Sequence, residues 1–503
     1  DQKGVEGVER TMNNALTPRR VAVQGERDRR GHFLPDEEVP DSGEMMGADV
    51  FLTLDQPLQA HVQRVLAKQV RSQRAVGGSA VVLDARSGAI LAMASVPTMD
   101  PLSSQQRVDR ARRDRVASYG YDLGSTVKPF VIAKALEDRR IKPYQTMECD
   151  NGRIMIPGKR RPTWDHHKMK LCTITEIIAH SSNVGTVKIG RITGHKVVRQ
   201  FFVKAGLVET PSIGIGRPPR GALPRVTRGF MSRTDGDTMM FGYALRGTLL
   251  SITTAYTAFA NEGERIEPFL IDRVAGVVGE RSLARGARRR VISPEVVAMV
   301  KPMLGAVVSS GEKDHPARIP GVRVGGKTGT SQKFIKPLGY QGHRKRFASF
   351  VGIAPLDDPR FVIGVMIDEP KDRYGAAAAG PVFRKVGHFA LTRLAGMTLP
   401  ELGDAPKASI AEWTGEPDEA AVSAAEDDEL LERVRTALKR SAMVRGRLPD
   451  FSGLDVRSAL AELGALDLLA RIEGSGVVIE QTPPADTDLS EVHGQVVLHL
   501  GRL

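Results

Sequence analysis

Three short motifs along the chain contain the residue types of a nucleophilic serine site. In order, they are Ser125-Thr126-Val127-Lys128, Ser181-Ser182-Asn183 and Lys327-Thr328-Gly329-Thr330. A serine hydroxyl is a weak nucleophile until a neighbouring base takes its proton. On a helix, a residue three positions further on lies one turn along on the same face, so the Lys128 amine can lie beside the Ser125 hydroxyl. The motifs predict covalent catalysis on Ser125, with Lys128 as the base.

The base must be a neutral amine, because an ammonium group cannot accept a proton. Burial and a second cation both lower the pKa of a lysine, and we expect Lys327 to supply that second charge. Ser181 and Asn183 carry a hydroxyl and an amide that can hydrogen-bond to Lys128. We expect these two side chains to relay the proton to the leaving amine.

The third motif predicts an edge strand beside this site. Gly329 has no side chain, which lets the backbone of a substrate approach the strand closely. The Lys327 ammonium and the hydroxyls of Thr328 and Thr330 suit a substrate carboxylate. We expect the backbone N–H groups of Ser125 and Thr330 to bind the oxyanion, where one donor is typically worth about 10²–10³ in rate.

The order of the motifs carries more weight than any one of them. A serine followed three residues later by a lysine occurs about once by chance in a chain of this length, as an exposed helix start. Ser-x-Asn alone is equally well an ordinary turn or helix cap. All three motifs in this order, with Gly325 and Gly326 before the third, favour a single site.

The elements that must position these motifs lie in region 49–400. Gly124 permits a tight turn into a helix that begins near Ser125. Apolar patterns predict strands at both ends of the region and helices between them. The strands are 50–54, 79–83, 89–95, 346–353 and 360–367, and the helices are 55–72, 129–136, 174–180 and 252–261. This arrangement predicts an α+β fold, an antiparallel sheet covered by helices.

The segments on either side of this region differ in composition. Residues 1–48 are polar and rich in turns, with a short candidate strand at 20–23. Residues 401–446 are rich in alanine and acidic residues, which is typical of a linker, with a short candidate helix at 430–438.

Residues 447–503 predict a small βαβ-like unit. Strands are indicated at 477–481 and 496–500. The apolar positions of a short amphipathic helix are Val456, Ala459, Leu460 and Leu463.

Composition limits the classes of partner. The 503 residues carry a formal net charge of +13, which favours an anionic partner, and basic residues cluster at 107–115 and 285–290. Aromatic residues make up only 5% of the chain, and no module combines them with the basic clusters. We therefore expect no nucleic-acid partner.

Cysteine content and the N-terminus bear on the compartment. Cys149 and Cys172 are the only cysteines, which excludes a disulfide framework and a four-cysteine metal site. One disulfide and two separate thiols both stay open. No apolar run approaches the roughly 18 residues of a membrane span. The chain begins at Asp1 without signal-peptide features, so we expect an N-terminal anchor to be missing from it.

With these motifs the chain resembles the class B penicillin-binding proteins, especially the division-type transpeptidases. The resemblance extends over about residues 4–395, and the segments that carry it are 4–9, 52–55, 92–97, 181–185, 326–330 and 350–355. The C-terminal unit is similar to a PASTA domain in segments 448–454 and 474–483.

The resemblance implies a peptidoglycan D,D-transpeptidase. Ser125 would attack the carbonyl between the terminal D-Ala residues of a donor stem peptide, and an amine of a neighbouring strand would resolve the acyl-enzyme. β-Lactams would acylate the same serine, and no metal or organic cofactor is implied. Residues 1–48 would be the end of a pedestal that follows a membrane anchor, on the external face of the bacterial cytoplasmic membrane. A membrane glycosyltransferase and other division proteins would be partners.

The chain departs from the family pattern at one point and raises a question at another. The family usually has Glu-Pro before the Gly-Ser pair, whereas Asp122-Leu123 precedes Gly124 here. This change could loosen the turn without removing a reacting group.

Asp165-His166-His167 lies where the family often has Asp and His near the site. No third metal ligand is evident, so we expect a hydrogen-bonded loop rather than a metal pair.

Other functions share parts of this pattern. β-Lactamases and β-lactam sensors carry the same motifs, but they are usually single compact domains, and no Glu-x-x-Leu-Asn segment follows the second motif here. A D,D-carboxypeptidase differs only in using water as the acceptor. A wall-binding scaffold of the division complex would not need catalysis, and the intact motif set favours the enzyme. The acceptor amine and the choice between division and elongation stay open.

Overall fold

A computed structural model describes most of the chain. The described residues are 3–4, 6–18, 25–35, 47–98, 114–215, 219, 221–276, 279–282, 286–309, 315–335, 340, 345–403 and, with short gaps, 448–501. The predicted strand at 20–23, the predicted helix at 430–438 and most of the predicted linker lie outside them. The chain divides into two compact units, Asp1–Gly415 and Glu416–Leu503.

Helices and short strands make up most of the first unit. Its helices are α1 (Gly7–Thr11), α2 (Asn13–Leu16), α3 (Gln56–Ser72), α4 (Lys128–Glu137), α5 (Ile174–Ala179), α6 (Asn183–Thr193), α7 (His195–Lys204), α8 (Arg233–Met239), α9 (Leu249–Ala260), α10 (Pro294–Ser309) and α11 (Gly375–Arg393). Its strands are β1 (Gly25–Arg27), β2 (Phe33–Pro35), β3 (Asp49–Leu52), β4 (Gly77–Asp84), β5 (Ile90–Val96), β6 (Tyr121–Asp122), β7 (Thr146–Glu148), β8 (Arg153–Ile154), β9 (Thr163–Trp164), β10 (Leu171–Thr173), β11 (Arg246–Gly247), β12 (Glu264–Ile266), β13 (Ile271–Gly276), β14 (Gly279–Ser282), β15 (Arg288–Arg290), β16 (Gly325–Gln332), β17 (Arg346–Ala354) and β18 (Phe361–Asp368). Among the described residues, no helix is long and apolar enough to cross a membrane.

A five-stranded antiparallel sheet forms the centre of the first unit. Its strand order is β16–β17–β18–β4–β5, and all neighbouring pairs are antiparallel. The β4–β5 hairpin comes from the start of the region and the β17–β18 pair from its end, as predicted from the sequence. Strand β16, which carries the third motif, lies at one edge of this sheet.

Both faces of the sheet are buried under helices. Along β4, Ala80 and Val82 face a core shared with α3 and α11, whereas Val81 and Leu83 face a second core that contains α9. This alternation is the period of two that a strand imposes on its side chains. The prediction of an α+β fold with a helix-covered antiparallel sheet is confirmed.

Helix α9 is buried along nearly its whole length, although four of its residues are serine or threonine. It lies so close to β18 that a Cβ atom at Gly364 would clash with Thr253 Oγ1. A residue with a side chain at position 364 would push the helix away from the sheet. The close packing fixes α9, which carries Tyr256 toward the turn that contains Ser125.

The strand predicted at 50–54 is present as β3, but it joins a different sheet. It pairs with β13, which pairs in turn with β14. The helix predicted after it is α3, and Asp55 caps that helix by accepting a 2.8 Å hydrogen bond from the Leu58 backbone N–H.

The second unit is a small sheet packed on a helical segment. Its strands are β19 (Leu469–Gly474), β20 (Val477–Thr482) and β21 (Gln495–Gly501), in the order β19–β21–β20, with β19 parallel and β20 antiparallel to β21. Positions 456, 459, 460 and 463 are helical, and Ala459 and Leu463 lie in the core with Phe451. Both predicted strands and the helical positions are confirmed.

The βαβ-like order needs a correction, because the helical positions precede all three strands. Strand β19 was not predicted, since nearly all of its side chains are exposed and it has no alternating apolar pattern.

Cys149 and Cys172 form a disulfide across a sequence separation of 23 residues, and both are fully buried. Cys172 lies in β10, which pairs with β7, and Cys149 follows β7 directly. The sequence left open whether these two cysteines pair, and the structure shows that they do. The disulfide braces the segment between β7 and β10.

Loss of this disulfide is expected to lower the free energy of unfolding by about 3 kcal/mol, because the loop becomes free in the unfolded chain. Urea unfolding with and without reductant, followed by intrinsic fluorescence, measures the difference. Reductant can act on no other disulfide, since the chain has no other cysteine. The Cys149→Ser, Cys172→Ser double variant should match the reduced protein and be insensitive to reductant. Equal stability of the oxidised and reduced protein would contradict the bracing.

Candidate active site

Ser125 lies in a short turn rather than in the first turn of an α-helix. Gly124–Val127 form a 3₁₀ turn, and α4 begins at Lys128. Gly124 has φ +58°, a left-handed conformation that favours glycine. Pro129 at the start of α4 fits the helix because its missing N–H has no partner there in any case. The helix expected near Ser125 therefore begins three residues later.

The backbone of this turn is held from the protein interior. The Tyr256 hydroxyl, on α9, donates a 2.7 Å hydrogen bond to the Thr126 carbonyl oxygen, and both residues are fully buried. The Thr126 hydroxyl donates to the Leu123 carbonyl oxygen, also at 2.7 Å. Ser125 itself is partly exposed. The turn thus presents the serine to solvent on a backbone that is fixed from behind.

The first two motifs meet at the amine of Lys128. Its Nζ atom donates to the Ser181 carbonyl oxygen, lies 3.2 Å from the Ser181 hydroxyl and 2.8 Å from Asn183 Oδ1. The Lys128 side chain is fully buried. All three partners are neutral oxygen atoms.

The second motif lies between the end of α5 and the start of α6. Ser181 has φ +59°, a left-handed conformation that is uncommon for a residue with a side chain. Ser182 caps α6, because its hydroxyl accepts a 2.9 Å hydrogen bond from the Gly185 N–H. The left-handed backbone at Ser181 lets the side chains of Ser181 and Asn183 both contact the amine of Lys128.

Asp165 anchors this second motif, a role that was not predicted from the sequence. Its carboxylate accepts hydrogen bonds from the Ser182 hydroxyl and the Asn183 backbone N–H, and one of 3.1 Å from the Val184 N–H. The Trp164 carbonyl oxygen accepts a 2.8 Å hydrogen bond from the Asn183 side-chain amide. The carboxylate thus binds N–H groups at the start of α6, where an anion is favoured. The expected hydrogen-bonded loop at Asp165 is what the structure contains.

Two rings beside Asp165 lie near the motifs as well. The His167 ring contacts that of His180, with 4.8 Å between centroids, and His180 directly precedes Ser181. The His166 ring contacts that of Tyr374. No helix or strand period links these residues, because neither pair lies within one helix or strand.

The third motif runs along edge strand β16. Lys327 is fully buried, and its Nζ lies 3.2 Å from the Thr328 hydroxyl. The Thr330 hydroxyl accepts a 3.3 Å hydrogen bond from the Gly375 N–H at the start of α11. The edge placement predicted for this motif is confirmed.

Packing gives a second reason for the missing side chain of Gly329, in addition to the substrate approach predicted from the sequence. A Cβ atom there would clash with Ser349 Oγ and would lie 2.8 Å from Thr126 Cγ2. The Cβ direction at Gly329 therefore points into the protein, toward Ser349 and the turn that carries Ser125. Glycine at this position lets β16 pack against the turn that carries Ser125.

Burial sets the protonation of both lysines. It lowers the pKa of Lys128 to about 7, although the negative charge of Asp165 acts in the opposite direction. Burial also lowers the pKa of Lys327 well below its usual value, and the charge of Lys128 lowers it further. Burial was one of the two causes expected for Lys128, and the repulsion expected between the two lysines lowers the pKa of Lys327. A Lys128 pKa near neutrality gives a substantial fraction of free amine at pH 7.

The comparison with known proteins rests on the same region. A family model described as the penicillin binding protein transpeptidase domain matches residues 78–388. The chain belongs to the penicillin-binding protein transpeptidase family. A PASTA domain model matches residues 446–502 of this transpeptidase. Both resemblances predicted from the sequence are confirmed.

Relatives of this transpeptidase carry corresponding names. It is 31% identical to a "Probable peptidoglycan D,D-transpeptidase PenA" of Neisseria flavescens, over 77% of this chain and 93% of that protein. It is 29% identical to "Penicillin-binding protein PbpB" of Mycobacterium tuberculosis, over 78% of this chain but 59% of that protein. The chain therefore spans less than two thirds of the longer relatives.

Solved structures agree with this assignment. Penicillin-binding protein 3 of Mycobacterium tuberculosis, complexed with ampicillin, has a TM-score of 0.68 and 27% identity, over 80% of this chain and 88% of that one. The transpeptidase domain of Burkholderia pseudomallei penicillin-binding protein 3 has a TM-score of 0.59 and 29% identity, over 70% of this chain and 98% of that one. The expected enzyme class, a serine-type peptidoglycan D,D-transpeptidase, is confirmed at the level of the family. Its place of action is the bacterial cell envelope, where this family makes peptidoglycan.

The reaction of Ser125 with a β-lactam is expected to slow about tenfold per pH unit below about pH 7, because protonated Lys128 cannot act as a base. Stopped-flow acylation by nitrocefin across the pH range gives the profile. Lys128→Ala should abolish acylation. Lys134→Ala is the matched control, since Lys134 lies on the same helix and pairs with Asp138 instead. A rate independent of pH around neutrality would contradict this assignment of the base.

Asp165→Asn is expected to move that pH midpoint downward, because the carboxylate charge raises the pKa of Lys128. The variant should also lose about 1–3 kcal/mol of stability, since the Ser182 and Asn183 donors lose an anionic acceptor. The pH profile of acylation and a urea unfolding curve check the two effects. Asp138→Asn removes a carboxylate from the partly exposed Lys134 pair and should move neither quantity appreciably. An upward or unchanged midpoint in Asp165→Asn would show that its charge does not act on Lys128.

Proposed function

We propose that this chain cross-links peptidoglycan stem peptides through an acyl-enzyme on Ser125. The observation that carries the proposal is the position of Lys128. Its fully buried amine, with a pKa of about 7, follows the serine turn directly and touches both polar side chains of the second motif. Such an amine can take up and release a proton near neutral pH.

Acylation begins when neutral Lys128 takes the proton of the Ser125 hydroxyl. The serine oxygen then attacks the carbonyl between the terminal D-Ala residues of a donor stem peptide. The bond to the terminal D-Ala nitrogen breaks, and the proton passes from Lys128 to that nitrogen with Ser181 and Asn183 as the relay. D-Ala leaves, and an ester joins the donor peptide to Ser125.

Deacylation reverses these proton transfers. An amine from a neighbouring strand attacks the ester carbonyl, and Lys128 accepts the proton that the amine loses. The Ser125 oxygen leaves and regains a proton from Lys128. The products are a new amide cross-link and the free enzyme.

The third motif binds the donor in this proposal. The backbone N–H groups of Ser125 and Thr330 hold the oxyanion, each typically worth about 10²–10³ in rate. Lys327, Thr328 and Thr330 bind the terminal carboxylate, with Gly329 between them. A carboxylate beside Lys327 stabilises its ammonium form and so raises the pKa that burial has lowered.

The remaining parts of the chain fit the same process. We assign residues 1–48 to the end of a pedestal, 49–400 to the transpeptidase domain, 401–446 to a linker and 447–503 to a PASTA domain with an added wall-binding function. We place the enzyme on the external face of the cytoplasmic membrane, held there by a membrane anchor. We assign it to septal wall synthesis beside a membrane glycosyltransferase and other division proteins. Relatives named as peptidoglycan D,D-transpeptidases support peptidoglycan synthesis as the process.

Incubation with benzylpenicillin is expected to produce a single covalent adduct that persists for hours and is absent in Ser125→Ala. Intact-mass spectrometry over time measures it. Ser182→Ala should still form the adduct, since Ser182 caps α6 and does not carry the acyl group. An adduct that forms and disappears within seconds would indicate a β-lactamase. An adduct on Ser125→Ala would refute the assignment of the nucleophile.

A further inference from the structure

The disulfide between Cys149 and Cys172 lies directly behind the second motif. Cys149 Sγ is 3.9 Å from the hydroxyl oxygen of Ser182, the residue that joins Ser181 to Asn183. Ser182 and both cysteines are fully buried. Sulfur is only a weak hydrogen-bond acceptor, so the contact matters mainly as packing. The disulfide therefore forms part of the surface against which the second motif rests.

The backbone of Cys149 also leads to Asp165, which orients the second motif. The Cys149 carbonyl oxygen accepts a 2.7 Å hydrogen bond from the Gly152 N–H. The Gly152 carbonyl oxygen accepts a 2.8 Å hydrogen bond from the Asp165 N–H. The Asp165 carboxylate in turn accepts hydrogen bonds from the Ser182 hydroxyl and the Asn183 N–H. Two backbone hydrogen bonds thus connect the disulfide to the residue that orients the motif.

Cys172 leads to the same motif from the other side. The next residue, Thr173, caps α5, because its hydroxyl accepts a 3.1 Å hydrogen bond from the Glu176 N–H. The Thr173 N–H donates a 2.7 Å hydrogen bond to the Glu176 carboxylate in return. Helix α5 is only six residues long and ends two residues before Ser181. The position of Cys172 therefore sets the position of Ser181 through one short helix.

The strand pair beside the cysteines is short and exposed. Strands β7 and β10 pair over three residues each. Thr146 and Glu148 of β7 are exposed, and Leu171 of β10 is 58% exposed. A two-stranded sheet is marginally stable at best in water by itself. We therefore expect the disulfide, rather than the strand pairing, to fix the Asp165 side of the second motif relative to the α5 side.

A shift between these two sides would displace the groups that bind Lys128. The Lys128 amine lies 3.2 Å from the Ser181 hydroxyl on the α5 side and 2.8 Å from Asn183 Oδ1 on the Asp165 side. In the proposed mechanism these two side chains relay the proton. Displacement of a catalytic group by about 1 Å can cost about 10²-fold in rate. The rate of acylation should therefore depend on whether the disulfide is present.

We propose that oxidation of Cys149 and Cys172 to the disulfide makes Ser125 competent for acylation, by fixing the second motif around Lys128. The inference rests on the proposed function, because it concerns the proton transfers of that mechanism. The oxidant is a thiol oxidant that itself carries a disulfide, either a small molecule or a protein. The two thiols lose two protons and two electrons, the Sγ–Sγ bond forms, and the disulfide of the oxidant is reduced to two thiols. Both cysteines are positioning residues.

This dependence limits activity to a compartment in which the disulfide persists. Disulfides form and persist in oxidising environments outside the cytoplasm and are rare inside it. A chain with both thiols reduced would be acylated slowly, so little acyl transfer would occur before export. The inference therefore agrees with the proposed place of the enzyme on the external face of the membrane.

The test compares acylation by nitrocefin of the oxidised protein and of protein reduced with tris(2-carboxyethyl)phosphine, which is removed under argon before mixing. Stopped-flow measurements over a range of nitrocefin concentrations separate the rate constant at saturation from the half-saturating concentration. Reduction is expected to lower the rate constant at saturation about 10- to 100-fold. The half-saturating concentration should stay nearly unchanged, because the third motif on β16 binds the donor in the proposed function. Reoxidation with oxidised glutathione should restore the original rate constant.

Two variants separate this effect from a general loss of stability. The Cys149→Ala, Cys172→Ala double variant should resemble the reduced protein and should not respond to the reductant. Leu66→Ala is the matched control, because it opens a cavity in the other core, which α3 and α11 share. It should lower the free energy of unfolding but leave the rate constant at saturation unchanged. Near-UV circular dichroism checks that each protein is folded during acylation.

Equal rate constants at saturation in the oxidised and reduced protein would overturn the inference. A fall that Leu66→Ala shows to the same extent, or one that only accompanies loss of the near-UV signal, would overturn it as well. In each of these cases, acylation of the oxidised protein at Ser125 leaves the proposed function intact. If the oxidised protein is not acylated at Ser125, the proposed function and the inference both fail.

Discussion

In the proposed mechanism, Lys128 has to be buried beside the serine and still has to give up its proton, and the site is built around this constraint. Burial removes water from the ammonium group, which lowers the pKa. The groups that touch the amine are a carbonyl, a hydroxyl and an amide oxygen, none of which is charged. A carboxylate in direct contact would have held the proton on the amine. Neutral acceptors satisfy its hydrogen bonds and leave the effect of burial in place.

The carboxylate of Asp165 acts one step away from the lysine. Its oxygens are occupied by the Ser182 hydroxyl and by N–H groups at the start of α6. An anion placed there organises the backbone that presents Ser181 and Asn183, while its charge raises the pKa of Lys128 only partly. Asp165 therefore orients the groups that accept hydrogen bonds from Lys128, whereas burial of Lys128 lowers the pKa of its amine.

The rest of the fold keeps these groups in place. Helix α9 is buried against β18, and through Tyr256 it holds the turn that contains Ser125. Strand β16 packs on the same turn because Gly329 leaves room for Thr126 and Ser349. Close packing on both sides fixes the backbone around Ser125. In the proposed mechanism this preorganisation lowers the cost of reaching the transition state.

The sequence by itself determined the three motifs, the helix-covered sheet and the approximate bounds of its main strands and helices, because local spacing and apolar periodicity encode them. Three features were decided by the tertiary structure alone. They are the hydrogen bonds of Asp165 to the second motif, the disulfide between Cys149 and Cys172, and the close packing at Gly329. Each of these depends on residues distant in sequence, whose contacts leave no periodic signal. The pKa of Lys128 belongs to the same group, since it follows from how completely the folded chain excludes water from one amine.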